Sequence, residues 1–345
     1  MDLAARTLEL VDVASESRDE ADLARHVLGV LGDRAVDAGD TCVLAGATSR
    51  GDRPLVLLAG HLDTVPAQAN RPGRIADGAV HGLGAADMKG AVAVMIELAL
   101  ADPSARSVDL GFVFFGREEL PIADSALTPL LARTPSLHEA DLAIVMEPTA
   151  NAIQAGCLGN IQARLTVHGR SGHSARPWLA DNAIHRLAEA IAAIASFEPE
   201  TRSFAGLSFR EALSVVGVQG GIAANVIPAE ASADVNYRYA PGRAADEAER
   251  LLRGVWTTGD WEIVSNSPSG PVPEGNPLVE RLRAAGDLAL EPKQAWTPVA
   301  ELGAVGVDAV NFGPGDPRFA HTADEQVAID ALHHSYDVLE RFACA

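Results

Sequence analysis

The sequence predicts an α/β fold whose mostly parallel sheet is covered by helices and interrupted by an inserted α+β domain. Runs 54–59, 109–115 and 141–146 are mostly apolar without alternation, as expected of strands that are buried on both faces. Helical patterns separate these runs, which is typical of a parallel sheet. Further along, runs 161–167 and 231–238 alternate apolar and polar residues, which favours antiparallel strands with one solvated face.

The other predicted elements extend this division along the chain. Helical spacing is found over 3–14, 19–31, 88–100, 181–195, 243–254 and 276–286, and in a terminal segment from about 325. A further strand is expected at 307–312. We therefore expect one domain built from 1–158 and 265–345, with a second domain inserted over 159–264.

The charge and cysteine content restrict the partners and the compartment. With 27 Lys and Arg against 47 Asp and Glu, the net charge of -20 argues against nucleic acid and against anionic membrane surfaces. No apolar run approaches the roughly 20 residues that span a bilayer, and the N-terminus has the pattern of an amphipathic helix and not of a signal peptide. Cys42, Cys157 and Cys344 are widely spaced, so we expect a reducing, cytoplasmic location.

Histidine or carboxylate side chains follow each predicted strand of the first domain. In open α/β sheets, ligands bind beyond the carboxyl ends of the strands, and five connections deliver such residues there. The residues are His61 and Asp63, Asp87, Glu118 and Glu119, Glu147, and His321 with Asp324 and Glu325. Because crowded acids repel one another unless a cation holds them, the set predicts a metal centre with nitrogen and oxygen ligands.

Each of these residues also has a purely structural interpretation when taken singly. His61 could be a structural histidine with satisfied hydrogen bonds, and Asp87 could cap a helix. Glu118 and Glu119 could belong to a solvated loop, and Glu147 could be a surface residue at a strand end. The convergence of all five connections at one sheet edge favours the metal centre over these alternatives.

Six blocks of the sequence resemble the M20 family of zinc peptidases and deacylases. They are AGHLDTVP (59–66), HGLGAADMKG (81–90), FFGREEL (114–120), MEPT (146–149), GRSGHSARP (169–177) and FGPGDPRFAHTADE (312–325). The similarity spans essentially the whole chain. It implies a zinc-peptidase-like catalytic domain with an inserted lid and dimerisation domain, in a homodimer.

The resemblance also assigns the metal ligands. Asp87 would bridge two zinc ions, His61 and Glu147 would complete one site, and Glu119 and His321 would complete the other. Cobalt or manganese could substitute for zinc at such a site.

Further roles follow from the same resemblance. Asp63 would orient His61 from behind the metal. Glu118 would be the general base that takes a proton from water. His173 would stabilise the oxyanion in the active site of the partner subunit, and Asn225 and Arg238 would bind a substrate carboxylate. For His173, the structural alternative is a capping or packing histidine.

Within the family, the chain resembles most the branch that hydrolyses N-succinyl-LL-2,6-diaminopimelate to LL-2,6-diaminopimelate and succinate. That branch usually reads Trp-Thr-Asp where this chain has Trp296-Thr297-Pro298, a difference that bears on the substrate side and leaves the metal ligands intact. Another deacylase, similar to acetylornithine deacetylase, or a dipeptidase remains the alternative. A non-catalytic metal-binding dimeric scaffold would lack Glu118 or a ligand, and a phosphoryl-transfer enzyme would need a basic phosphate cradle.

Overall fold

The structure is a computed structural model that describes residues 2–345. Its helices are α1 (Leu3–Asp12), α2 (Ala21–Leu31), α3 (Gly90–Leu100), α4 (Leu127–Arg133), α5 (Ala183–Ala195), α6 (Ala245–Val255), α7 (Pro277–Gly286), α8 (Val299–Ala304) and α9 (Ile329–Cys344). None of the helices within the described range is long and apolar enough to cross a membrane.

The strands, in chain order, are β1 (Ala35–Gly39), β2 (Cys42–Gly46), β3 (Leu55–His61), β4 (Arg74–Ala76), β5 (Ala79–His81), β6 (Asp109–Phe115), β7 (Leu142–Val145), β8 (Ile153–Ala155), β9 (Gly159–His168), β10 (Gly172–His173), β11 (Thr201–Phe204), β12 (Leu207–Arg210), β13 (Ala212–Gly220), β14 (Val226–Ile227), β15 (Glu230–Tyr239), β16 (Asp260–Ser267), β17 (Leu290–Pro292), β18 (Ala309–Asn311) and β19 (Gln326–Ala328).

The chain forms two compact units. The first contains 1–156, 270–293 and 297–345, and the second contains 157–269 with 294–296. The second unit is therefore inserted into the sequence of the first, apart from a three-residue return at 294–296.

An eight-stranded sheet forms the centre of the first unit, in the order β1-β2-β6-β3-β7-β18-β8-β17. Strands β6, β3, β7 and β18 run parallel to one another, so their carboxyl ends lie at one edge. All seven residues of β3 are buried, because an apolar strand in the middle of such a sheet is covered on both faces. This arrangement confirms the mostly parallel α/β fold.

The second unit packs two helices on one face of a four-stranded antiparallel sheet ordered β13-β15-β9-β16. Strand β15 alternates between buried and half-buried residues along most of its length, so one face lies under α5 and α6 and the other faces outward. The alternation seen in the sequence is thereby explained. A short antiparallel pair, β10 with β14, holds His173 opposite Val226.

The structure differs from the sequence-based expectations at several element ends. The helix expected from residue 88 begins at Gly90, because Asp87 (φ −129°, ψ 90°) and Met88 are not helical and belong to an irregular turn. The terminal helix begins at Ile329 because β19 takes up the residues before it. The antiparallel strands β1 and β2, and the edge strands β13 and β16 of the second sheet, were not predicted.

Candidate metal centre

The carboxyl ends of β3, β6 and β7 bring most of the predicted ligands together in the first unit. His61 is the last residue of β3, Glu118 and Glu119 follow the end of β6, and Glu147 follows the end of β7. Three overlapping groups have potential ligand atoms within 4.8 Å of one another: His61 with Asp87 and Glu147, Asp87 with Glu119 and His321, and His61 with Glu118 and Glu119.

Asp87 lies between the two imidazoles. Its Oδ1 is 3.1 Å from Nε2 of His61, and its Oδ2 is 3.4 Å from Nε2 of His321. Each oxygen therefore faces a different histidine, so Asp87 connects the two groups. Glu147 completes the first group, with Oε1 3.8 Å from His61 Nε2, and Glu119 completes the second, with Oε1 2.9 Å from His321 Nε2.

The electrostatics of this cluster are those of acids that lack a counter-ion. Burial raises the pKa of Glu118 well above its ordinary value, and the charge of Glu147 raises it further. Burial and the charge of Asp87 likewise raise the pKa of Glu147 to about 7. Burial would lower the pKa of His61, but its hydrogen bond with Asp87 and the surrounding carboxylates raise it well above the usual range.

The pKa of the second histidine, His321, is also raised by neighbouring carboxylates. Its hydrogen bonds with Asp87 and Glu119 raise the pKa of His321 to about 11. Burial opposes ionisation of Asp87, but its hydrogen bonds with His321 and His61 hold its pKa below the ordinary value. The pKa values of the cluster are therefore set by burial and by the attraction between its histidines and its carboxylates.

A divalent cation fits these residues. Two imidazoles and several carboxylates form a nitrogen and oxygen donor set that zinc and related ions accept. Within residues 2–345, the buried Oε1 of Glu147 has no hydrogen-bond partner although it points toward His61. A bound cation would satisfy that oxygen.

Asp63 lies behind the cluster and binds the backbone of the two adjacent glutamates. Its Oδ1 accepts a hydrogen bond from the N–H of Glu118 (3.0 Å), and its Oδ2 accepts from the N–H of Glu119 (3.2 Å). The backbone oxygen of Asp63 is 3.0 Å from Nδ1 of His61, closer than its carboxylate at 3.6 Å. The carboxylate thus holds the glutamate turn, while the main chain orients the histidine.

The other three predicted site residues lie in the second unit. His173 is exposed on β10, and its Nδ1 accepts a hydrogen bond from the N–H of Ala175 (3.1 Å). The backbone oxygen of Asn225 accepts from the N–H of Ser174 (3.0 Å), so His173 and Asn225 lie close together. Arg238 lies on β15, where its Nε donates to Oδ1 of Asn236 (3.0 Å).

Two further residues, Ser17 and Glu325, form hydrogen bonds with the metal-centre loops that the sequence does not predict. Ser17 donates a hydrogen bond to Oδ2 of Asp63 (2.7 Å). Glu325 accepts hydrogen bonds from backbone N–H groups of the turn that carries Asp87. The acidic FAHTADE run drew attention to Glu325 only as another acid beside His321, and no pattern marks Ser17.

Histidines and carboxylates that cluster beyond the carboxyl ends of β3, β6 and β7 form the donor set of a divalent metal site, as metal-dependent hydrolases have. The chain belongs to peptidase family M20/M25/M40, whose sequence pattern matches residues 57–345. The family and the ligand cluster together make it a metal-dependent amidohydrolase with a divalent metal cofactor.

Relatives of known name cover nearly the whole chain. A putative succinyl-diaminopimelate desuccinylase of Mycobacterium tuberculosis is 39% identical over 97% of this chain and 96% of its own length. A succinyl-diaminopimelate desuccinylase of Corynebacterium glutamicum is 35% identical over 97% of this chain and 94% of its own.

Solved structures share the fold at low sequence identity. Aminopeptidase PepT from Bacillus cereus superposes with a TM-score of 0.80 at 18% identity, covering 99% of this chain and 97% of that one. An M20 family metallo-carboxypeptidase from Sulfolobus solfataricus also has a TM-score of 0.80, at 16% identity, covering 100% of this chain and 99% of that one.

Proposed function

We propose that the protein hydrolyses the amide bond of N-succinyl-LL-2,6-diaminopimelate, releasing succinate and LL-2,6-diaminopimelate in the cytoplasm. The observation that carries the proposal is the 39% identity, over 97% of the chain, to a relative of that name. The geometry of the metal centre supports it, because the proposed metal ligands and Glu118 lie in one cluster.

The proposed cofactor is a pair of zinc ions. Asp87 would bridge them, His61 and Glu147 would hold one, and Glu119 and His321 would hold the other, since these groups already have their ligand atoms within 4.8 Å of one another. Bound in pairs, such ions act as Lewis acids and lower the pKa of water toward ~7.

Glu118 is the proposed general base. Its carboxylate would take a proton from the water whose oxygen attacks the amide carbonyl. The same carboxyl group would then deliver that proton to the nitrogen as the carbon–nitrogen bond breaks, so that amine and succinate leave with atoms balanced. The backbone N–H of Glu118 donates a hydrogen bond to the carboxylate of Asp63, and this bond fixes the main chain from which the Glu118 side chain extends.

Arg238 is the proposed receptor for a substrate carboxylate, and Asn225 is a second proposed substrate-binding residue. In the described part of the chain Arg238 has no carboxylate partner, although acids outnumber Lys and Arg by 47 to 27. Burial, with nothing to offset it, lowers the pKa of Arg238. A half-buried guanidinium without a counter-ion suits an anionic ligand.

We further propose that two copies pair through the edge strand β13, and that His173 of the partner subunit stabilises the oxyanion. Strand β13 forms an edge of its sheet and exposes Val216 and Val218, and an unpaired edge is a ready template for another strand. Val218→Lys should dissociate the dimer in sedimentation experiments. Val264→Lys, at a similarly exposed position on the opposite edge strand β16, is the matched control and should remain dimeric.

One difference between this sequence and the related branch favours an alternative substrate within the family. Pro298 stands where the related branch has aspartate, and here it precedes α8 and accepts the N–H of Glu301 (3.0 Å). The aspartate of the related branch is thus replaced by a proline that lies at the start of α8. An acetylornithine deacetylase-like activity or a dipeptidase activity is the second candidate.

The deciding experiment compares three substrates with the zinc-loaded protein: N-succinyl-LL-diaminopimelate, N-acetylornithine and a dipeptide. Turnover of the succinyl substrate alone, abolished by a chelator and restored by zinc, supports the proposal. Turnover of another substrate instead would retain the metal centre and reject the desuccinylase. Chelator-insensitive turnover would reject the metal centre itself.

A further inference from the structure

Glu325 is a buried carboxylate that belongs to none of the three ligand groups. It is 2% exposed and follows His321 by four residues, just before β19. A carboxylate buried beside other acids is costly unless it is well hydrogen-bonded. The hydrogen-bond partners of Glu325 therefore indicate its role.

The hydrogen bonds that the carboxylate of Glu325 accepts all come from backbone N–H groups of the turn that presents Asp87. Oε1 accepts from Ala86 (3.1 Å) and Asp87 (3.0 Å), and Oε2 accepts from Gly84 (2.9 Å). The backbone oxygen of Glu325 also accepts from the N–H of Gly82 (3.0 Å). One residue thus binds four N–H groups within a six-residue stretch, 82–87.

These bonds matter because the turn has no regular helix to hold it. Asp87 has φ −129° and ψ 90°, so its backbone lies outside the helical region. The carboxylate of Asp87 must nonetheless keep one oxygen toward each histidine, and His321 lies on the same loop as Glu325. A single carboxylate therefore ties together the segments that carry Asp87 and His321.

We propose that Glu325 is a positioning residue that pre-organises the metal centre before a cation binds, by fixing the backbone of Asp87 relative to the His321 loop. The inference rests on the proposed role of Asp87 and His321 as metal ligands. Glu325 does not touch the cation in this proposal, and it acts through hydrogen bonds to the main chain alone.

The substitution Glu325→Gln tests the proposal with little change of shape. The glutamine amide keeps one acceptor oxygen and replaces the other with an NH₂ donor, which cannot accept a backbone N–H. Either Gly84, or the pair Ala86 and Asp87, then loses its acceptor. Replacing partners that orient ligands typically weakens metal affinity by about 10–100-fold.

The control is Glu211→Gln in the second unit. Glu211 is 1% exposed and binds Tyr237, Ala240 and Arg243, so it is an equally buried carboxylate far along the chain from the ligands. Its replacement should lower the melting temperature and leave the zinc affinity of the full-length protein unchanged.

The measurement is a zinc titration of the metal-stripped, full-length protein against a competing chelator, with cobalt absorption as a second readout of ligand geometry. E325Q should bind zinc about 10–100-fold more weakly and alter the cobalt spectrum, while E211Q matches the wild type in both. If E325Q does not fold, E325D is titrated in its place, because it keeps the charge and shortens the reach.

Wild-type affinity and an unaltered cobalt spectrum in the E325 variant would overturn the inference and leave the proposed function intact. Equal weakening in E325Q and E211Q would also overturn it, because the effect would then be general destabilisation. A wild-type protein that binds no zinc would overturn the proposed metal centre, and with it this inference.

Discussion

The hydroxyl of Ser17 donates a hydrogen bond to the carboxylate of Asp63, with Oγ 2.7 Å from Oδ2. The same carboxylate accepts the N–H groups of Glu118 and Glu119, so Ser17 is connected to the proposed base and to a proposed ligand through one side chain. Asp63 is buried, which strengthens each of these bonds. The segment between α1 and α2 therefore supports the metal centre although it contributes no ligand.

Ser17→Ala should lower kcat without changing KM for the substrate. A hydrogen bond to a charged group contributes about 1.5–3 kcal/mol. If only half of about 1.5 kcal/mol is lost from the stabilisation of the transition state, the rate already falls several-fold. We expect a loss of about tenfold. Ser17→Thr, which keeps the hydroxyl, should recover most of the activity, and steady-state kinetics of both variants against wild type provide the check.

Glu118→Gln should abolish most turnover while the protein keeps its metal. Loss of a general acid–base group lowers rates by about 10²–10⁴-fold, and Glu118 is the carboxylate for which we propose that role. Glu119→Gln is the matched neighbour and should lose metal, because Glu119 is a proposed ligand. Metal content is measured on both purified variants; metal loss in E118Q would make Glu118 a ligand, as its proximity to His61 and Glu119 allows.

Arg238→Ala should raise KM for a substrate that carries a free carboxylate by about 10–100-fold, since a charge-assisted hydrogen bond contributes about 1.5–3 kcal/mol. Arg164→Ala is the control. Arg164 lies on the neighbouring strand β9 but is already paired with Asp234 (2.8 Å). A KM that rises equally in both variants would indicate a general loss of positive charge and not a specific receptor.

The ionisation of Glu301 makes the stability of the protein depend on pH, and a substitution at this residue should remove that dependence. Its buried carboxyl accepts the hydroxyls of Ser125 (2.9 Å) and Thr128 (2.6 Å), and burial raises its pKa above the ordinary value. An acid whose pKa is raised on folding stabilises the fold when protonated, below its unfolded pKa. That contribution is lost as the pH rises through the folded pKa.

Glu301→Gln keeps an acceptor for both hydroxyls and removes the ionisation. We therefore expect the free energy of unfolding of E301Q, relative to that of wild type, to increase from pH 5 to pH 8, because only wild type loses stability as Glu301 ionises. Denaturant unfolding at the two pH values measures it. Glu274→Gln, at an exposed position, should show no such trend, and an equal trend in both variants would contradict the assignment to Glu301.

The apolar strand runs and the ligand set could be predicted because they depend on local pattern. Mostly apolar runs without alternation at 54–59 and 109–115 mark strands covered on both faces, and the residues that follow parallel strands meet at one edge of the sheet. The structure confirms the parallel sheet, and it brings His61, Asp87 and Glu119 together with the other predicted ligands.

The supporting residues could not be predicted in the same way. Glu325 accepts N–H groups from residues about 240 positions earlier in the chain, and backbone donors leave no mark in the sequence. Ser17 is an ordinary serine between two helices until the fold brings Asp63 to it. The irregular turn at Asp87 was likewise missed, because the apolar residues around it have helical spacing.

Anomalous diffraction from crystals of the zinc-loaded protein, recorded on both sides of the zinc absorption edge, would show whether Asp87 bridges two zinc ions. We expect two anomalous peaks flanking Asp87, one beside His61 and Glu147 and the other beside Glu119 and His321. A single peak, or peaks that do not share Asp87, would contradict it.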